Sequence, residues 1–121
     1  MTEQEVDLAK TITDLEGKRE ELEELWKHPP GANLEEKERN IREIVDMMAC
    51  NDEKISSLKD ILSNQTASKI IIRGLTQEEK GQMNKALAAL SIPIQRDQAF
   101  QVIMDTLTTI FQGIELIATK A

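Results

Sequence analysis

Histidine and cysteine each occur once in this 121-residue chain, as His28 and Cys50. A single histidine excludes a His-based zinc site and paired-imidazole catalysis. A lone cysteine excludes an intramolecular disulfide and a Cys-based metal site. Tyrosine is missing, and Trp26, Phe100 and Phe111 are the only aromatic residues. Sheet-rich domains draw heavily on aromatic side chains, so this shortage favours helices. The five glycines lie far apart, which leaves no Gly-rich loop to cradle a phosphate. Uninterrupted apolar runs are also absent: Arg96, Asp105 and Glu115 bracket or break the most apolar segment, so it does not read as a transmembrane segment.

Charge is plentiful but uneven. The net charge is −7, and residues 1–60 hold 17 acidic and nine basic side chains, against five and six in residues 61–121. The acidic half argues against nucleic-acid binding, which needs clustered Lys and Arg to displace counterions. The start, Met-Thr-Glu-Gln-Glu, is the opposite of a basic signal-peptide region. With one cysteine, this points to a reducing, cytoplasmic setting, or to export without a cleavable signal peptide.

Residues 33–62 carry the clearest pattern. Leu34, Ile41, Met48, Ile55 and Leu62 recur every seventh residue, with Ile44 and Leu58 between them, as a coiled-coil seam requires. Asn51 falls at a seam position where leucine is expected. It either sits in the seam and fixes register, or lies at a bend facing solvent. A first helix is expected over residues 3–27, with Leu8, Ile12, Leu15, Leu22 and Trp26 buried and the Arg19 stem lying along the seam. His28-Pro29-Pro30-Gly31 must end it. Asn33, with Glu36 three residues on, starts the next helix as a capping box. Two long helices joined so tightly imply an antiparallel pair.

Further along, Lys69-Ile70-Ile71-Ile72-Arg73-Gly74 has strand-like content, but the only visible partner is Ser91-Ile92-Pro93-Ile94, whose proline removes a donor. The segment is therefore expected to be a short helix or an extended connector ending at Gly74. Thr76 and Glu79 form a second capping box, opening a helix to about Leu90. A last helix is expected from Ile94 or Asp97 to Thr119, its wide apolar face from Phe100 to Ala118 placing it at the centre of the core.

The expected fold is all-α: a long antiparallel, coiled-coil-like helical hairpin packed with two further helices as a four-helix-type bundle. It is one domain over residues 1–121, with an acidic hairpin at 1–63 and apolar helices at 64–121 completing the core. No catalytic, cofactor-binding or metal-binding residue is expected. The carboxylates Glu20, Glu21, Glu23 and Glu24 sit where solvent accommodates charge, and the E-x-x-H pattern of bundle di-metal sites is missing. His28 reads as a helix cap, and Cys50, beside Asn51 and Asp52, lacks the base or cation that activates a thiol.

Binding is the function left standing. The expected interaction surface is Leu22, Trp26, Leu34, Ile41, Met48, Asn51 and Ile55, and the expected partner is a protein, in the simplest case a second copy forming a homodimer. Two other classes fit the composition. One is an acidic, immunity-type antagonist that occupies a basic site on a target. The other is a membrane-active protein whose residues 97–119 leave the bundle, although no Lys/Arg-rich polar face supports contact with an anionic membrane surface.

Overall fold

A computed structural model describes residues 2–121. The chain runs as strand β1 (Thr2–Asp7), helix α1 (Leu8–Lys27), helix α2 (Leu34–Ser63), strand β2 (Lys69–Leu75), helix α3 (Gln77–Leu90) and helix α4 (Phe100–Lys120). It is a mostly helical bundle to which a two-stranded antiparallel sheet is attached.

That sheet corrects two expectations. Residues 3–7 are strand, not the first turns of a helix, and residues 69–75 are strand, not a helix or unpaired connector. The partner of β2 is the N-terminal segment: Val6 lies opposite Ile70, Glu5 opposite Ile71, and Gln4 opposite Ile72. Inward and outward residues alternate along β1, with Val6 buried and Glu3 and Glu5 exposed. On β2 the alternation holds through Ile72 and then shifts. Between the pairs Thr2–Leu75 and Gln4–Ile72, one residue of β1, Glu3, opposes two of β2, Arg73 and Gly74. This bulge contains Gly74, at φ 76°, a conformation costly for side chains other than glycine. The extra residue changes which face comes next, so Leu75 points into the core and is fully buried.

Asp7 ends the strand and caps α1, its carboxylate accepting from Lys10 N at 3.1 Å. Leu8 N donates to Ser68 O at 2.7 Å, which fixes the corner between strand and helix. At the other end of α1 the His28 amide donates to Glu24 O at 3.0 Å. Gly31, at φ 152°, makes the turn; a Cβ there would come within 2.8 Å of Lys37 Cγ. Asn33 caps α2 by accepting from Glu36 N at 2.9 Å. Thr76 and Glu79 bond each other's backbone amides at the start of α3, closing the capping box in both directions.

Packing along α1 and α2 is offset from the expected rows. On α1, Leu8, Thr11, Ile12, Leu15, Lys18, Leu22 and Leu25 are buried, and Trp26 is 48% exposed. Leu25, not Trp26, closes the stripe, because a step of three from Leu22 keeps it on the buried side. On α2 the buried residues are Asn40, Ile44, Asn51, Lys54 and Leu58. The row Leu34, Ile41, Met48, Ile55 and Leu62 is displaced to the flank of this face, with Leu34 72% exposed.

Helix α4 packs against α3 and α2, burying Ile103, Met104, Leu107, Ile110, Phe111, Ile114 and Ile117. It starts at Phe100, later than expected. Residues 91–99 form an irregular loop, with Pro93 unable to donate to a helix ladder. At Gly113 the α3 and α4 backbones come so close that a Cβ would run into the Ala86 methyl. By length and mean hydropathy of 1.3, Phe100–Lys120 alone among the described helices could cross a membrane. Core helices of folded domains share that composition, and the apolar face of α4 lies on its neighbours here.

Candidate interaction surface

Trp26 is placed by the last turn of α1, just before the Pro29-Pro30-Gly31 reversal. Val45 and Met48 belong to the facing flank of α2. Together with Ala49 they line a shallow groove of about 620 Å³ between the two helices. Its charged lining is Arg19, Glu23, Lys27 and Asp52, two residues of each sign. Arg19 crosses from helix to helix, its Nε donating to Asp52 at 2.9 Å and its Nη1 to Glu23 at 2.9 Å. The half-buried guanidinium thereby fixes one end of the groove while its stem forms part of the wall. The same flank of α2 continues from exposed Val45 through partly covered Ile41 to exposed Leu34.

Of the residues expected on the surface, Trp26, Leu34, Ile41 and Met48 share this flank. Leu22 and Asn51 do not belong to it: both are fully buried within the chain. Ile55 is partly covered and packs on the core, as Met48 also does at the edge of the groove. Val45 was not among the expected residues, because it stands outside the heptad row. The steps of four and three through Ile41, Val45 and Met48 carry the signal that would have found it.

Asn51 is where the α1–α2 contact is least apolar. Its Nδ2 donates to Leu15 O at 2.9 Å, while its Oδ1 is buried without a hydrogen-bond partner. The amide thus sits inside the contact rather than at a bend.

A second groove, of about 380 Å³, runs between α2 and α4 beside Cys50, Lys54, Phe111 and Glu115. Lys54 spans it and donates to Glu115 at 2.6 Å. Burial lowers the Lys54 pKa, but the Glu115 hydrogen bond and charge outweigh it, leaving the ammonium above its ordinary range. Burial pushes the Cys50 thiol up, and the nearby Lys54 charge opposes this only in part. Both effects together favour the protonated thiol over the reactive thiolate. Among the described residues, no cluster of three or more His, Cys, Asp or Glu side chains is placed to hold a metal ion. His28 contributes its backbone to the helix end, its carbonyl accepting from Arg96 Nη2 at 3.0 Å.

Compared with known proteins, the chain matches no family model, no curated protein and no solved structure.

Proposed function

We propose that this protein is a non-enzymatic interaction module that assembles with a second copy of itself through the flank of a coiled-coil-like antiparallel hairpin, α1–α2. The observation that carries the reading is an apolar flank on which Trp26, Leu34 and Val45 are exposed and Ile41 and Met48 are partly covered. Contiguous exposed apolar surface rimmed by polar residues is how interaction sites present themselves. The choice of a second copy rests on charge. Two chains of net charge −7 repel each other over most of their surface. The groove, lined by two residues of each sign, is a place where they can meet at little electrostatic cost. In an isologous pairing the Arg19 and Lys27 of one chain can face the Glu23 and Asp52 of the other. At 30 residues, α2 is also the longest helix, about 45 Å, against 21 residues for α4.

Trp26 is the chain's only tryptophan, so its fluorescence reads this surface directly. Light scattering should give a dimer mass that falls on dilution, with the Trp26 emission moving to the red as the mass falls. The double variant Trp26→Glu, Leu34→Glu should stay monomeric with its melting temperature nearly unchanged, since both side chains are exposed. A monomer mass at high concentration, with dilution-independent emission, would overturn the proposal.

Exposed Glu16, Glu20 and Glu24, spaced one turn apart on α1, supply the one specific support for the acidic-antagonist reading. That reading requires association with a basic target to slow steeply with added salt.

A further inference from the structure

The loop at residues 91–99 is held off the helices beneath it. Lys18 Nζ donates to Ile92 O at 2.6 Å, Ile94 N donates to the Glu21 carboxylate at 2.8 Å, and Arg96 reaches the His28 carbonyl at 3.0 Å. All three attachments run to α1 or the turn that follows it, more than 65 residues away in sequence. Beneath the loop lies a pocket of about 200 Å³, more enclosed than either of the two grooves. Its wall is Ile103, Leu107 and Ile110, one face of α4, with Ala89 from α3 beside them. Lys18, only 3% exposed, comes in from α1.

Interiors are close-packed, and voids much larger than a water molecule are few. A cavity of about 150 Å³ lined by Leu, Ile and Phe can stay dry and take up benzene. Here the loop is fixed at three points to α1 and its turn, and the space below it stays open. The Lys18 charge is already matched by Glu21, whose two oxygens both lie 3.1 Å from Nζ. The pocket therefore has no unbalanced charge to attract an anion. What it offers is an apolar wall, with the side chains of Gln95 and Gln98 lining it from the loop.

We propose that this pocket binds a small neutral molecule of single-ring size, with an apolar body and one hydrogen-bonding group. The ring would rest on Ile103, Leu107 and Ile110, and the polar group would meet the glutamine amides. This site is separate from the α1–α2 flank and does not depend on self-association.

Indole is a suitable probe for the full chain. Titration followed by ¹H–¹⁵N correlation spectra should give saturable shifts centred on Ile92, Gln98, Ile103 and Ile110. At tenfold excess over Kd, the melting temperature followed by circular dichroism should rise by about 5 °C. Ala89→Leu, which fills the pocket from α3, should abolish both effects. Thr106→Leu, introduced from the exposed side of α4, serves the same purpose if Ala89→Leu does not fold. Non-saturating shifts, shifts centred on Trp26 or Cys50, or undiminished binding in the filled variant would each overturn the proposal.

Discussion

Replacing Asn51 with leucine should stabilise the protein by about 1–2 kcal/mol. The two side chains branch alike, but the leucine methyls are larger than the amide oxygen and nitrogen, so the fully buried site must relax to take them, which offsets part of the gain. One hydrogen bond is lost, from Nδ2 to Leu15 O, for a cost of about 1 kcal/mol. Leu15 O keeps its helical acceptor role in α1. The partnerless Oδ1 is removed, which recovers about 1–3 kcal/mol. Apolar contact with Leu15 and its neighbours adds a fraction of the roughly 0.8 kcal/mol that each buried methylene contributes. The balance should appear in urea unfolding as a higher midpoint with an unchanged slope, and as a rise of about 4 °C in melting temperature per kcal/mol. Asn51→Asp tests the same environment from the opposite side. It keeps the shape but buries a carboxylate without a counter-ion, and should lose at least about 3 kcal/mol at neutral pH. A lower urea midpoint for Asn51→Leu would refute the reasoning, because it would mean that the Leu15 bond and the crowding by the larger side chain outweigh the unpartnered oxygen.

Gly17→Ala and Gly81→Ala, at helical positions with nothing within 4 Å of the new Cβ, should each stabilise by about 0.5–1 kcal/mol in thermal melts. Gly113→Ala should destabilise despite the same gain in helix propensity, because its methyl would run into Ala86; a neutral melt would mean that α3 and α4 can separate freely. Leu107→Ala should cost about 2–5 kcal/mol in chemical denaturation as a truncation of the buried α4 face. For the Lys54–Glu115 pair, the lysine pKa is raised on folding, so its contribution is complete below about pH 10.4 and declines as pH rises through the higher folded value. Wild type should therefore lose its stability advantage over Glu115→Gln above that pH, as read from urea midpoints between pH 8 and 11.

Much of the helical framework is written locally. Asn33, Thr76 and the Pro29-Pro30-Gly31 turn mark helix ends through bonds to residues three or four away, and α2 and α3 begin where those signals place them. The sheet was not legible in the same way. Val6 is the only strongly apolar residue of β1, and its neighbours Glu3 and Glu5 are good helix formers. What makes the segment a strand is pairing with residues more than 60 positions later, a relation that no local pattern encodes. The facing rows of α1 and α2 were displaced for a different reason. The buried face of α2 includes Asn40, Asn51 and Lys54, so a count of apolar residues favoured the adjacent flank. Of that flank, Leu34 is exposed, while Ile41 and Met48 are partly covered. Leu22 and Asn51, whose burial depends on the partner helix, were placed on the surface by mistake.

The pairing of β1 with β2 also sets an order of events during synthesis. In a chain made from N- to C-terminus Thr2–Asp7 emerge well before their hydrogen-bonding partners, residues 69–75. Until then α1 lacks the Leu8 to Ser68 bond and the strand that covers its first turn. α1 and α2 can meet before this point, because only six residues separate them, whereas β1 must wait for the chain to return. Residues 2–7 are thus among the last of this fold to find their place, and the amides of β1 should be among the latest to gain protection from hydrogen exchange during refolding.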